Sequence, residues 1–306
     1  IHYINDKERG KIWEETIMML PENVLIVMLS ATINKAEKFA KWVEDIKQQE
    51  VYLASTNKRI VPLTHYSYLT LRNKLTERYG KNNNFIDTKL NQLIPLKKPG
   101  SFFLEENFFP ISKNEKFFEK NNIFVNQEFV LNNITKYLKE HNLLPAICFV
   151  FSRRKTEEFA KKISISLNDS RLMNIIPKEC KKLLIKKIPN WKEYVQLPEF
   201  EQLVQLLQKG IAVHHSGVIP VFKEIIEIMF ERGYVKLLFA TETFAVGVNM
   251  PTKTVLFTGL KKFDGNKFRF LLPHEYTQMA GRAGRRGLDK KGTVILSMKG
   301  YTAKAL

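Results

Sequence analysis

Between Lys7 and Leu20 the apolar side chains Ile12, Trp13, Ile17 and Leu20 recur at helical spacing and Pro21 stops the pattern, which predicts a helix ending there. Residues 24–32 ("VLIVMLSAT") form a continuous apolar run of strand length, the pattern of a central parallel strand buried on both faces. An amphipathic helix is predicted over 35–46 and a second strand over 51–56 ("VYLAST"). Between Thr64 and about Glu128 the periodicity fades while Asn, Lys, Phe and the prolines Pro95, Pro99 and Pro110 accumulate, as in a connector with short elements or the root of an insertion. Regular alternation resumes at Phe129. Helices are predicted over 129–141, 153–167, 200–209 and 222–233, the last stopped by Gly233, with strands over 146–151, 211–215, 235–240, 254–260 and 292–298. Strands alternating with helices predict an α/β architecture of parallel sheets covered by helices. The boundaries expected are the C-terminal part of a first domain over 1–63, a connector over 64–128 and a complete second domain over 129–306.

A length of 306 residues is enough for two domains that each bury a core, and 44% hydrophobic residues with 22 Phe exclude a disordered chain. Lys and Arg number 49 against 31 acidic residues, a formal charge of +18 that favours a polyanionic partner. Lys- and Asn-rich usage, as in "KNNNF", raises charge in the same way without making a binding face. Cys148 and Cys180 lack metal-ligand spacing, and Cys148 sits in an apolar run, the mark of a buried thiol in a reducing compartment. With no apolar run near about 18 residues and no signal peptide, the expectation is a soluble intracellular protein that meets no membrane.

The densest chemical signal is "QMAGRAGRRG" (278–287). Arg282 and Arg285 are three positions apart, so on a helix they would share a face and present two guanidinium forks to one anion, as needed to neutralise a transferring γ-phosphate. A basic helix end broken by glycines is the plainer reading. Gly281, Gly284 and Gly287 have the wrong spacing for a dinucleotide-binding loop. Asp264-Gly265 between alternating apolar residues signals a two-residue hairpin turn. His214 and His215 have no companion ligands and read as satisfied strand-end histidines rather than a metal site.

Taken in order, "LSAT", "FVFSRRKTEEFA", "HHSG", "ATETFAVGVNMP" and "QMAGRAGRRG" resemble the motifs of superfamily-two DExH-box helicases, and more narrowly the superkiller-type RNA helicases that feed the exosome. The resemblance implies a P-loop NTPase helicase core of two RecA-like parallel-sheet domains, the first one partial here. It also implies ATP-dependent unwinding and translocation of single-stranded RNA toward 3′–5′ exosome decay, ATP with Mg²⁺ in the cleft between domains, and an exosome-linked protein complex as partner. By this likeness Arg282 and Arg285 meet the γ-phosphate, Gln278 touches the phosphate or the attacking water, and Gly247 and Asn249 lie near the nucleotide. Ser30 and Thr32 would couple ATP state to strand grip through a hydroxyl bond toward His2, unless they only cap the next helix. Nucleic acid would cross the strand ends, where Ser152, Arg153 and Thr241 occupy βα turns and suit backbone phosphate. In related helicases a hairpin between the last two motifs splits the duplex, making Phe263, Phe268 and Phe270 candidates for stacking on the last base pair. Their alternative is hairpin core.

The chain departs from the family in one respect: it contains no G-x-x-x-x-G-K-[ST]. Its opening "IHYIND" looks like the tail of a DExH box, so the full-length protein is expected to be the ATPase and this stretch alone to be inactive. Residues 44–63 resemble cytoplasmic superkiller helicases more than the nuclear exosome helicase. A nuclear exosome cofactor, a DNA-repair helicase of the same superfamily and a non-catalytic RNA-binding scaffold are the alternatives.

Overall fold

The computed structural model describes residues 10–30, 33, 35–56, 58–72, 89–122, 126–245, 250 and 252–297. By packing, the chain divides into two compact units, Ile1–Ile60 with Leu272–Gln278, and Val61–Leu271 with Met279–Leu306.

In the first unit, α1 (Gly10–Met19) and α2 (Ala36–Lys47) form where helical spacing predicts them. Lys47 is buried and donates from Nζ to the carbonyl oxygens of Met18 and Leu20 at 3.1 and 2.5 Å, satisfying carbonyls that the end of α1 leaves without a partner. The two strands expected here are a correction. Residues 24–30 and 51–56 carry no strand, and Leu25, Val27, Leu29 and Tyr52 are 76–88% exposed. A strand exists only as a paired element, and among the described residues no ladder includes either run.

The second unit is built on a seven-stranded sheet of order β2-β1-β9-β6-β3-β5-β4. These strands are β1 (Leu63–Tyr68), β2 (Leu93–Lys97), β3 (Ala146–Phe149), β4 (Ile211–His214), β5 (Leu237–Ala240), β6 (Thr254–Phe257) and β9 (Gly292–Ser297). All pairings are parallel except that of the edge strand β2 with β1. The continuous apolar strands β3 and β5 are buried at every position, as a sheet covered on both faces requires. Phe149 and Phe257 stack across neighbouring strands with ring centroids 5.6 Å apart, each fully buried. Burial of one such ring stabilises by about 1.5–3 kcal/mol.

The stretch read as a connector thus supplies two strands. In β1, "LTHYSY" is too polar to announce a buried strand, yet pairing with β9 buries Tyr68 to 2% exposure. Helix α3 (Glu105–Lys120) packs on β2, and α4 (Gln127–Glu140) leads into β3. Helix α5 (Arg153–Lys162) is shorter than its predicted span and is followed by α6 (Ser170–Lys187), which sequence spacing missed because Pro177 sits inside it. Asp169 gives that helix a firm start, its Oδ1 accepting from the Leu172 amide at 2.8 Å. Further helices of this unit among the described residues are α7 (Trp191–Val195), α8 (Pro198–Gln208) and α9 (Pro220–Glu231). The division between the two units falls within helix α10 (Pro273–Ala280), between Gln278 and Met279.

Candidate functional site

Two groups of sequence-marked residues collect at opposite ends of the sheet of the second unit. At the ends where the parallel strands finish, the chain leaves β3 into Ser152 and Arg153, β4 into His215 and β5 into Thr241. The Val150 amide donates to Ala240 O at 2.9 Å and the Thr241 amide to His214 O at 3.3 Å, so the three exits are tied side by side. Ser152 is the N-cap of α5, its Oγ accepting from the Lys155 amide at 3.4 Å. A hydroxyl that accepts in this way keeps its own proton to donate outward. Arg153 is exposed, while Thr241 is buried to 6% exposure.

The two histidines complete this rim. His215 Nδ1 accepts from the Gly217 amide at 3.1 Å, which fixes the proton on Nε2, 3.0 Å from Glu157 Oε1 on α5. His214 Nε2 lies 2.9 Å from Glu227 Oε1 on α9, and its ring meets Phe244 edge-on at 4.9 Å. Both are satisfied strand-end histidines on the Nε2 side. Among the described residues no cluster of three metal-ligating side chains occurs. Burial holds the His214 imidazole below its ordinary value of 6.5; Glu227 pulls the other way, and Lys223 and His215 add to the depression. Desolvation outweighs the carboxylate because the side chain is 9% exposed and its Nδ1 has no hydrogen-bond partner among the described residues. Since the fold prefers the neutral ring, stability is complete above the unfolded histidine range and declines as pH falls through it. Chemical denaturation of this chain between about pH 7.5 and about pH 5.5 is expected to show that decline, and a smaller one for His214→Gln.

Beyond β6 the chain forms the hairpin β7 (Lys261–Phe263) and β8 (Phe268–Phe270), at the same end of the sheet. The turn is four residues rather than the expected two: Asp264 accepts from the Asn266 and Lys267 amides at 3.0 and 2.9 Å, and Gly265 adopts φ 102°. Those backbone donors hold the Asp264 carboxyl below its usual range. Phe263 and Phe268 pair directly across the strands with centroids 5.4 Å apart, and they are 52% and 74% exposed. Phe270 is 36% exposed, with Lys261 Nζ 4.8 Å from its ring centroid. The three rings are therefore surface rather than hairpin core.

At the opposite end, where β6 and β9 begin, lies the arginine motif, and here the expected helix is corrected. Helix α10 stops at Ala280, so Arg282 and Arg285 occupy a looped segment and share no helix face. The segment is clamped instead by Thr252, fully buried at the foot of β6. Its amide donates to Arg282 O at 2.9 Å, and the Gly284 amide donates to Thr252 O at 2.7 Å, as in a single rung of parallel sheet. Gly284 has φ 87°, and a Cβ built on it would fall 2.5 Å from Val61 Cγ1 and 3.1 Å from Gly292. Glycine here allows a loop, not a helix, to pack closely.

Arg282 is half-buried, and loss of solvent lowers the pKa of its guanidinium. Arg285 forms a fork-to-fork pair with Asp289, which sequence reasoning passed over: Nε to Oδ2 is 2.8 Å and Nη2 to Oδ1 is 2.9 Å. Gln278 lies in the last turn of α10 and groups with the first unit. Ser30 is described but lies outside any helix or strand; His2, Thr32, Gly247 and Asn249 fall outside the described residues. No described helix is long and apolar enough to cross a membrane.

Comparison with known proteins identifies what the chain resembles. Residues 172–287 match the helicase conserved C-terminal domain. Over 98% of its length the chain is 40% identical to Superkiller complex protein 2 of Mus musculus, covering 24% of that protein. It is 38% identical over 97% of its length to Exosome RNA helicase MTR4 of Homo sapiens and 36% identical over 97% to Antiviral helicase SKI2 of Saccharomyces cerevisiae, covering 27% and 26% of them. The chain thus spans about a quarter of the length of these curated relatives. Residues 172–287 thus carry a helicase conserved C-terminal domain on a mostly parallel sheet of RecA-like form, in a chain similar over nearly its whole length to superkiller and exosome RNA helicases.

Proposed function

We propose that this chain is the part of an ATP-dependent RNA helicase that receives the γ-phosphate at one end of a RecA-like sheet and grips RNA at the other, in a protein that feeds RNA to exosome decay. The observation that carries the reading is the two-ended layout: a clamped arginine loop where β6 and β9 begin, and hydroxyls, amides and exposed aromatics where β3, β5 and β6 finish. Relatives carrying "exosome RNA helicase" and "superkiller complex" in their names support RNA as substrate and an exosome-linked assembly as partner.

Arg282 and Arg285 suit ATP: two guanidinium groups in one short loop can offset charge growing on a phosphoryl oxygen. Gln278 orients the phosphate or the attacking water, Gly247 and Asn249 border the nucleotide, and His2, Ser30 and Thr32 relay its state. In the full-length protein Mg²⁺ bound with ATP would lower the charge on the phosphate, its ligands being assigned largely outside this chain. The stretch by itself is assigned no ATPase activity, having no G-x-x-x-x-G-K-[ST]. At the other end, Ser152, Arg153 and Thr241 hold backbone phosphate without reading sequence. The likeness of residues 44–63 favours the cytoplasmic superkiller role over the nuclear one.

Phe263 and Phe268 present a stacking platform for the last base pair, and each base stacked on an aromatic ring is worth about 1–3 kcal/mol. Phe263→Ala with Phe268→Ala in the full-length protein is expected to slow duplex separation roughly 10- to 100-fold while RNA-stimulated ATP hydrolysis stays within about twofold. Unchanged strand separation would remove the hairpin from the mechanism.

A further inference from the structure

We propose that Asp289 is a positioning residue for ATP hydrolysis, holding the Arg285 guanidinium by one edge so that its other edge faces the γ-phosphate. This rests on the assignment of Arg285 to that phosphate.

The geometry is reciprocal. Arg285 O accepts the Asp289 amide at 2.9 Å, and Asp289 Oδ2 accepts the Arg285 amide at 2.9 Å, so residues 285–289 close one turn with Gly287 at φ 77° inside it. The same carboxylate takes the side edge of the guanidinium, Nε to Oδ2 and Nη2 to Oδ1. A guanidinium carries five N–H bonds in a planar fork. With Nε–H and one Nη2–H committed, the end edge remains, offering one N–H from Nη1 and one from Nη2 to two oxygens of a phosphate.

The pair does not need to open for this to happen. The Asp289 side chain is 4% exposed and that of Arg285 29%, so the carboxylate is inside and the arginine reaches outward. Opening would strand a buried carboxylate, which disfavours an alternative in which Asp289 merely hides Arg285 until nucleotide arrives. The Arg285 hydrogen bonds are the largest influence holding the Asp289 carboxyl below its usual range, and Asp289 in turn raises the guanidinium. Lysine could not substitute at 285, since a point charge has no second edge.

The test is a double-mutant cycle on the full-length protein, reading kcat and KM for ATP in saturating RNA, with thermal unfolding as a control on folding. Arg285→Ala is expected to lower kcat on the order of 10³-fold. Asp289→Asn is expected to lower kcat at least 30-fold, about 2 kcal/mol, with KM for ATP within about threefold. The double variant should be no slower than Arg285→Ala alone, and Asp289→Glu, which keeps the carboxylate, should regain part of the loss. If Arg285→Ala lowers kcat and Asp289→Asn does not, or if Asp289→Asn only lowers the melting temperature, the positioning role is overturned. If Arg285→Ala itself leaves kcat unchanged, the assignment of Arg285 fails instead.

Discussion

Replacing Arg282 with alanine in the full-length protein is expected to reduce RNA-stimulated ATP hydrolysis on the order of 10³-fold, a loss of about 4 kcal/mol in transition-state stabilisation. The size follows from placement. Arg282 is half-buried, and loss of solvent already lowers the pKa of its guanidinium, so its charge acts in a medium that screens poorly. Its backbone is fixed at both sides: the Arg282 amide donates to Met279 O at 3.1 Å and its carbonyl accepts from Thr252 at 2.9 Å. A group held in place before the reaction spends nothing on reorganisation when charge develops. Binding of RNA measured in parallel should change little, because the arginine loop and the rim proposed to meet RNA occupy opposite ends of the sheet. A hydrolysis rate within about threefold of the unaltered protein would mean that this loop is not at the γ-phosphate.

The second large effect is structural. Gly284→Ala places a Cβ 2.5 Å from Val61 Cγ1 and 3.1 Å from the Gly292 backbone, at a φ of 87° that L side chains rarely adopt. Left-handed backbone costs about 1–2 kcal/mol for a residue with a Cβ, and overpacking adds about 1–3 kcal/mol. A destabilisation of roughly 2–5 kcal/mol is therefore expected, read as a lower melting temperature of this chain. Adding Val61→Ala removes the clashing methyl but not the backbone strain, so it should restore only part of the loss. Full restoration would show that crowding alone matters; no loss in the single variant would mean that the loop can swing away from Val61.

How much of this was legible in the sequence depended on whether a feature was local. From residue 129 onward the apolar runs 146–149, 237–240 and 254–257 became strands because a strand buried on both faces declares itself by composition. The same signal failed at 24–30, where composition was right but no ladder partner follows among the described residues. β1 failed in reverse: Thr64, Ser67 and Tyr68 look like loop residues, and their burial comes from β9, more than 220 residues away. At the site, residue identities were legible and geometry was not. Three glycines within 281–287 signal punctuation, yet the spacing of Arg282 and Arg285 invited a helix; φ values of 87° and 77° at Gly284 and Gly287 settle the matter. Asp289 was visible four residues after Arg285, an interval that identifies a partner only when the intervening turn is known. The hairpin was placed by Asp264-Gly265, though its turn is longer because Asp264 ties two amides instead of one.

The short strands have a mechanical meaning. β3 and β6 are four residues each, roughly 13 Å of backbone, locked to both neighbours and buried along their whole length. A strut that short and that tightly braced is hard to deform, as close-packed interiors are. On the proposed assignment of ATP to the foot of β6 and RNA to the opposite rim, the effect of one on the other would be a displacement of the domain as a rigid piece, a stroke rather than a signal passed through its interior.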